Sequence, residues 1–293
     1  MLHSIGNDRV GRRSIGSVGL GALRLCQPRV RTPDEVAGVL RAAMDAGITL
    51  VDTADVYGPV DAGVAAYGYN EWQLADAIRA LGVAGELLLV TKVGIVRTPT
   101  GFTVDSTRGY LMASVDASMR RLGVDAIDLY IHHRPDPNVP YGEAMQTMRD
   151  IFDSGKARMI GISNVSPSQI AIAQQVLGPA LVCVQNRYSP LDRATRPALD
   201  LCAAVGLAYL TWAPLGGAGG GERLAAITPL SEIARRRGVS VQRVALAWAL
   251  HESDSVIPIP GASRPESVAD AAAAGDMRFT AADRASINFA LAS

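Results

Sequence analysis

A chain of 293 residues, 48% hydrophobic and 19% charged, carries enough apolar side chain for one large α/β domain or two smaller ones. Lys and Arg number 28 against 28 Asp and Glu, a balance that argues against nucleic acid or an anionic membrane surface as partner. Three scattered cysteines, Cys26, Cys183 and Cys202, form no C-x-x-C pair, so they read as buried thiols and no metal site is expected.

The N-terminal stretch MLHSIGNDRVGRRS lacks the continuous apolar run of a signal peptide. The longest apolar runs, such as residues 86–96 with Thr91 and Lys92 inside, are too short to span a bilayer. A soluble cytoplasmic protein is expected. Residues 1–5, a Gly6-Asn7-Asp8 turn and residues 10–15 read as a β-hairpin. Residues 17–21 make a first core strand whose glycines allow close backbone approach. Thr32-Pro33-Asp34-Glu35 opens a helix, with proline in its first turn and acids against its dipole, and Gly47 ends it.

Strand and helix then alternate. Strands are expected over 48–52, 86–92, 126–132, 157–163, 181–185, 207–213 and 255–258. Helices are expected over 70–80, 106–122, 141–154, 167–176, 197–204, 230–237, 241–251, 265–274 and 281–290. Strands at this spacing imply parallel pairing and right-handed crossovers. Eight such units fit a (β/α)8 TIM barrel of the α/β class with an N-terminal β-hairpin, one domain over residues 1–293. A doubly wound sheet is disfavoured because no G-x-G-x-x-G turn opens an early helix. The glycines between 216 and 221 read as a mobile lid after strand seven.

Strand-end residues of such a barrel meet over one pocket. Strand two delivers Asp52 and, through its loop, Tyr57; strand three ends in Lys92; strand four ends in His132-His133. A lysine closing an apolar strand is costly to bury unpaired, and Asp52 on the neighbouring strand is its partner. A purely structural ion pair would leave the same two residues. With the tyrosine added, the group describes a proton donor. A phenol near pKa 10 is a poor acid at neutral pH, and an adjacent ammonium lowers that value. Proton donation to a carbonyl oxygen also needs a hydride for its carbon, which implies a nicotinamide cofactor. No nucleophile elbow, phosphate loop or metal triad competes.

The sequence resembles the aldo-keto reductases. The matching stretches are Gly47-Ile48-Thr49-Leu50-Val51-Asp52-Thr53-Ala54-Asp55-Val56-Tyr57-Gly58, Val90-Thr91-Lys92, and Asp128-Leu129-Tyr130-Ile131-His132-His133-Arg134. Gly161-Ile162-Ser163-Asn164, Gln185-Asn186-Arg187-Tyr188-Ser189, Trp212-Ala213-Pro214-Leu215 and Ile259-Pro260-Gly261-Ala262-Ser263-Arg264 follow in the same order. The resemblance implies NAD(P)H-dependent carbonyl reduction with Asp52, Tyr57, Lys92 and His133 as the catalytic tetrad. His133 is chosen over His132 because the family's histidine lies five residues after the aspartate of the D-L-Y stretch.

The resemblance also implies cofactor contacts. Ser163, Asn164 and Gln185 would hold the nicotinamide carboxamide, and Tyr188 would stack on the ring. Trp212, Ala213, Pro214, Leu215 and Gly216 would wrap the pyrophosphate, extended by Gly219 and Arg223. Gly21 and Gly261 join this path. Ser263 and Arg264 match an adenosine 2′-phosphate site, so NADPH is favoured over NADH. The family often has Glu-Asn near the adenine; here Asp270 and Ala271 stand there, and Asp270 retains an acceptor.

The substrate is expected to be a small carbonyl compound held by Tyr57, His133, Arg134 and Trp212. The short tail after residue 276 implies an open pocket, completed by Trp212, Arg134, residues 59–69 with Tyr67 and Tyr69, or another subunit. A small aldehyde, a pyridoxal-like ring and a keto sugar all fit, and so do a monomer and a homo-oligomer. The rival readings are a nucleotide-sensing regulatory subunit on the same barrel and a sugar isomerase, which would need metal ligands or a carboxylate base.

Overall fold

The computed structural model describes residues 3–292. Met1 and Leu2, expected to begin the hairpin, lie outside the described residues. β1 (His3–Asn7) and β2 (Gly11–Ile15) pair antiparallel, and α1 (Leu23–Cys26) is a single turn after the short β3 (Leu20–Gly21). α2 (Pro33–Asp45) opens with a capping box: the Glu35 backbone N–H donates to Thr32 Oγ1, and the Thr32 N–H to the Glu35 carboxylate. β4 (Leu50–Asp52), α3 (Tyr69–Leu81), β5 (Leu88–Val93), β6 (Ile95–Thr98) and β7 (Gly101–Val104) follow. Next come α4 (Arg108–Leu122), β8 (Leu129–His132), α5 (Tyr141–Asp153), β9 (Ile160–Ser163), α6 (Pro167–Leu177), β10 (Leu181–Arg187) and α7 (Arg196–Val205). β11 (Ala208–Trp212), α8 (Gly220–Ala225), α9 (Thr228–Arg237), α10 (Val241–Leu250), β12 (Val256–Pro258), α11 (Pro265–Ala272) and α12 (Ala281–Ala292) complete the chain.

Eight parallel strands form one curled sheet in chain order, β3-β4-β5-β8-β9-β10-β11-β12. Its two edge strands approach each other. Gly19 N–H donates to Pro258 O at 2.8 Å, Gly21 N–H to Pro260 O at 3.0 Å, and Gly21 bridges Gly261 in parallel. A Cβ on residue 21 would stand 3.0 Å from Ile259 O, so the approach there favours glycine.

Two apolar layers follow from the two-residue strand period. Leu50, Leu88, Val90, Leu129, Ile131, Val182, Leu210 and Ile257 pack together inside the curl, with Ile5 and Ile15 of the hairpin. Val51, Leu89, Val93, Tyr130, Ile160, Ile162, Val184 and Tyr209 pack outward against the helices. Among the described residues no helix is long and apolar enough to cross a membrane.

Three segments differ from the elements expected. Residues 95–104, to which no element was assigned, form the β6–β7 hairpin. Their Ile95/Arg97 and Val96/Thr98 alternation before Pro99-Thr100-Gly101 is the signal for it. Val60–Ala66 winds as 3-10 turns rather than open loop. The expected mobile lid contains α8, and Arg223 ties it down through Nη2 to Gly216 O at 2.6 Å.

Buried polar groups lock α3 and α4 to the sheet. Glu71 is sealed from water and accepts from Thr91 Oγ1 at 2.6 Å and Arg121 Nε at 2.5 Å. Replacing Arg121→Met strands that carboxylate. The expected loss is about 3 kcal/mol of stability, the cost of breaking a buried pair. Urea unfolding checks it: the midpoint should fall with an unaltered slope, and an unmoved midpoint would show that the pair does not hold these helices.

Candidate active site

β4 and β5 are neighbours with Asp52 level with Val90, so Lys92, two residues further along β5, reaches back to the end of β4. Lys92 is fully buried. Its Nζ lies 2.6 Å from Asp52 Oδ1, 2.6 Å from Thr53 O and 3.3 Å from Tyr57 Oη. All three ammonium protons thus have acceptors. The second Asp52 oxygen accepts from Gln185 Nε2 at 2.7 Å, from the far side of the sheet. Tyr57 Oη accepts from Lys92, which leaves the phenol's own proton free to be donated into the cleft.

Burial pulls the Lys92 pKa down, but Asp52 and Tyr57 more than restore it, so it stands above the ordinary lysine value. Tyr57 departs from expectation. Its pKa is raised, because burial and the nearby Asp52 outweigh the lowering by Lys92. His133 is held well below the ordinary value by burial first, then by Lys92, Arg134 and His132, and is therefore neutral. Its ring meets Tyr57 edge-on at 5.9 Å between centroids. Its backbone is fixed at both ends: N–H to Val93 O at 2.7 Å, and O from Asn164 Nδ2 at 2.9 Å. His132 faces away from these groups and bonds Ser106 Oγ at 2.8 Å.

A cleft of about 810 Å³ opens over Tyr57 and His133. Of the residues singled out by sequence, Gly21, Asp52, Arg134, Ser163, Asn164, Gln185, Trp212, Ala213, Pro214, Leu215, Gly219 and Gly261 line it as well. An adjoining hollow of about 380 Å³ shares Leu215, Pro260 and Gly261 with the cleft and reaches Arg264 and Asp270. Asn164 and Ala213 hold left-handed backbone (φ 58° and 48°), unusual outside glycine and typical of constrained sites. Asn164 is kept there by side-chain bonds to His133 O, Ser163 Oγ and Trp212 Nε1.

Other residues stand elsewhere. Tyr188, expected to stack on a nicotinamide ring, is fully buried among the helices. Its ring stacks on Trp248 at 5.6 Å and its hydroxyl donates to Glu252. Gln185 faces the cleft, and two-residue alternation sends Asn186 and Tyr188 outward. Trp212 is the aromatic that lines the cleft instead. Gly216 and Arg223 shape the α8 loop from behind rather than facing the cleft. Ser263 accepts from Arg31 Nη2 at 3.1 Å. Asp270 lines the adjoining hollow and is engaged by Arg243 at 2.7 Å and by Ser240.

Tyr67 and Tyr69 do not line the cleft. Tyr67 turns back to donate to Asp55 at 2.8 Å and meets Tyr110. Sequence reasoning missed Leu23, Arg24, Ile95 and Gln242 on the cleft wall. The first three follow strand ends directly, a positional signal that was available.

The profile of the Aldo/keto reductase family matches residues 17–291, and the chain belongs to this family of oxidoreductases. A 6-dehydroglucose reductase of Novosphingobium aromaticivorans is 33% identical over 281 residues, 92% of this chain and 90% of that protein. A pyridoxine 4-dehydrogenase of Escherichia coli is 30% identical over 275 residues, 87% of each chain. The crystal structure of an aldo-keto reductase from Klebsiella pneumoniae in complex with NADPH superposes with TM-score 0.79 at 26% identity, covering 94% of this chain and 91% of the other.

The buried histidines make stability pH-dependent. Burial pulls His132 from the ordinary 6.5 down to about 4, against a small opposing effect of Asp136. Above 6.5 it is neutral folded or unfolded; below, only the unfolded chain binds the proton. Stability is therefore lost as pH falls from 6.5 towards about 4, by up to ~1.4 kcal/mol per pH unit. Denaturant titrations across that window should show a shallower pH slope for His132→Gln than for wild type. Equal slopes would show that His132 takes up its proton in the folded protein.

Proposed function

We propose that the protein is an NADPH-dependent reductase of small aldehydes or ketones, a single domain over residues 1–293 whose curled sheet closes as a (β/α)8 barrel. The bonds between the edge strands support closure. The observation that carries the functional reading is the buried Lys92 ammonium, bonded at once to Asp52, Thr53 O and the phenol oxygen that faces the cleft.

The residues present fit a nicotinamide dinucleotide. Cleft and hollow share Leu215, Gln242, Pro260 and Gly261 on their walls, which lays out a path from Tyr57 to Arg264. Trp212 offers a ring at the catalytic end, and Gln185 keeps its carbonyl oxygen for a carboxamide while its amide holds Asp52. Among the described residues no carboxylate pairs with Arg264, which leaves its forked donors for a 2′-phosphate. The NADPH bound by the Klebsiella pneumoniae neighbour supports the same choice. When bound, the reduced nicotinamide supplies a hydride to the carbonyl carbon.

Tyr57 gives its proton to the carbonyl oxygen. As charge grows on Tyr57 Oη, the Lys92 N–H that already points there stabilises it, and Asp52 and Thr53 O keep Lys92 in place. Neutral His133 orients the carbonyl beside the phenol. Arg24 and Arg134 stand on the cleft wall with no carboxylate partner among the described residues. They favour substrates that carry hydroxyl or anionic groups beside the carbonyl, as an oxidised sugar does.

Tyr57→Phe is expected to lower turnover at least 100-fold, the scale of lost general acid catalysis. NADPH affinity, read by fluorescence titration, should stay within about twofold, since Tyr57 is not assigned to the cofactor. Retained turnover would remove Tyr57 as the acid. Arg264→Ala should weaken NADPH roughly 10-fold or more and leave NADH unmoved, the size of a lost charge-assisted phosphate contact. Equal losses for both cofactors would place the 2′-phosphate elsewhere.

A further inference from the structure

We propose that Arg97 is the positioning residue for Tyr57, gathering the carbonyls on either side of it into one guanidinium fork. The inference rests on reading Tyr57 as the proton donor. Arg97 projects from β6, the hairpin strand that no catalytic expectation included, and is 6% exposed. Its Nε donates to Val56 O at 2.8 Å and its Nη2 to Gly58 O at 3.0 Å, the residues immediately before and after Tyr57. Its Nη1 donates to Gly63 O at 2.8 Å and Pro59 O at 3.4 Å. The Phe102 ring covers the group at 5.4 Å. Among the described residues no carboxylate pairs with this buried cation; backbone carbonyls and the Phe102 ring surround it.

The first half of the loop is tied to its neighbours, Thr53 N–H to Val90 O at 2.8 Å, Asp55 N–H to Lys92 O at 3.3 Å and Gly68 N–H to Asp55 O at 2.6 Å, whereas the carbonyls of Val56, Gly58 and Pro59 depend chiefly on Arg97. Residues 53–59 lie outside every strand and helix. Tyr57 itself has two backbone bonds, N–H to Ala54 O at 3.1 Å and O from Asn70 N–H at 3.1 Å. Gln27 Nε2 adds one further donor to Gly58 O at 2.7 Å. The phenol's bond to Lys92, at 3.3 Å, is the longest around that ammonium. It is the one a small loop shift breaks first. A planar fork reaches carbonyls in several directions, whereas a lysine ammonium at the same depth cannot span them.

The test uses the full-length enzyme with Arg97→Met and Arg97→Lys. The expected result is a 10- to 100-fold fall in kcat for Arg97→Met, with NADPH affinity within twofold and an unchanged far-UV spectrum. Arg97→Lys should recover only part of the loss. With Lys92 less able to lower the phenol's pKa, the alkaline fall in reduction rate should move to higher pH. In a Tyr57→Phe background, Arg97→Met should remove no further activity, because its effect passes through the phenol.

A folded Arg97→Met enzyme with wild-type kcat and pH profile overturns the proposal. So does a loss of kcat that only tracks lost fold or lost cofactor binding. If Arg97→Met does not fold, Arg97→Lys decides: full activity or an unmoved pH limb overturns the role. If Tyr57→Phe alone retains turnover, the proton-donor reading fails first, whatever the Arg97 variants do.

Discussion

An ammonium group sealed from water has three protons to place and a full charge to balance. At Lys92 this demand organises the centre of the molecule. Asp52 has to end β4, because only from the adjacent strand does a carboxylate meet Lys92 at 2.6 Å. The chain then has to turn so that Thr53 O faces inward, and the third proton is left for Tyr57. Gln185, on β10, holds the other Asp52 oxygen, so the arrangement ties strands on opposite sides of the sheet. The neutrality of His133 follows from the same charge: an imidazolium there would be buried and face Lys92 and Arg134.

One residue earlier on β5 the side chain faces the other way, and a second polar layer begins. Thr91 donates to Glu71, which Arg121 balances. Asp55 lies in the same region, fully buried, and its pKa is driven well above the usual carboxylate range by burial and then by Glu71. Arg121 pairs with Glu71 and, with the Tyr67 hydroxyl, only partly offsets the rise at Asp55. The inward layer therefore keeps a cation at the cleft floor, and the outward layer neutralises its acids away from the cleft. That separation lets charge lie on both sides of β5 without the two sets cancelling.

The order of strands and helices was legible because period-two apolar runs and capped helix starts are local signals. Thr32 with Glu35 and Ser166 with Gln169 form the caps their spacing allows. The strand-end residues Asp52 and Lys92 were legible for a related reason: the strands' parallel order places their ends together, whereas His133 was told from His132 by the family's spacing. What escaped depends on side-chain direction rather than position. Tyr188 sits in a stretch correctly placed at the end of β10, yet alternation turns it into the core. Asp270 was read as an acceptor, and only the fold shows that Arg243 and Ser240 share it. Arg97 was invisible because its partners are backbone carbonyls, which no side-chain pattern records.

The raised pKa of Tyr57 bears on how such a site works. A donor whose resting pKa were brought to neutrality would spend part of its time as phenolate and lose the proton it has to give. Here burial keeps the phenol protonated even though Lys92, 3.3 Å from the oxygen, acts to lower its pKa. The ammonium's stabilisation is realised only as negative charge gathers on that oxygen, when the contact can shorten. Such a preorganised donor favours the transition state over the ground state and needs no reorganisation when the charge arrives. Its value depends on geometry to within tenths of an ångström, and that geometry is set by a loop that itself lies outside every strand and helix. A buried guanidinium that gathers the carbonyls of Val56, Gly58 and Gly63 is what the chain supplies to fix it.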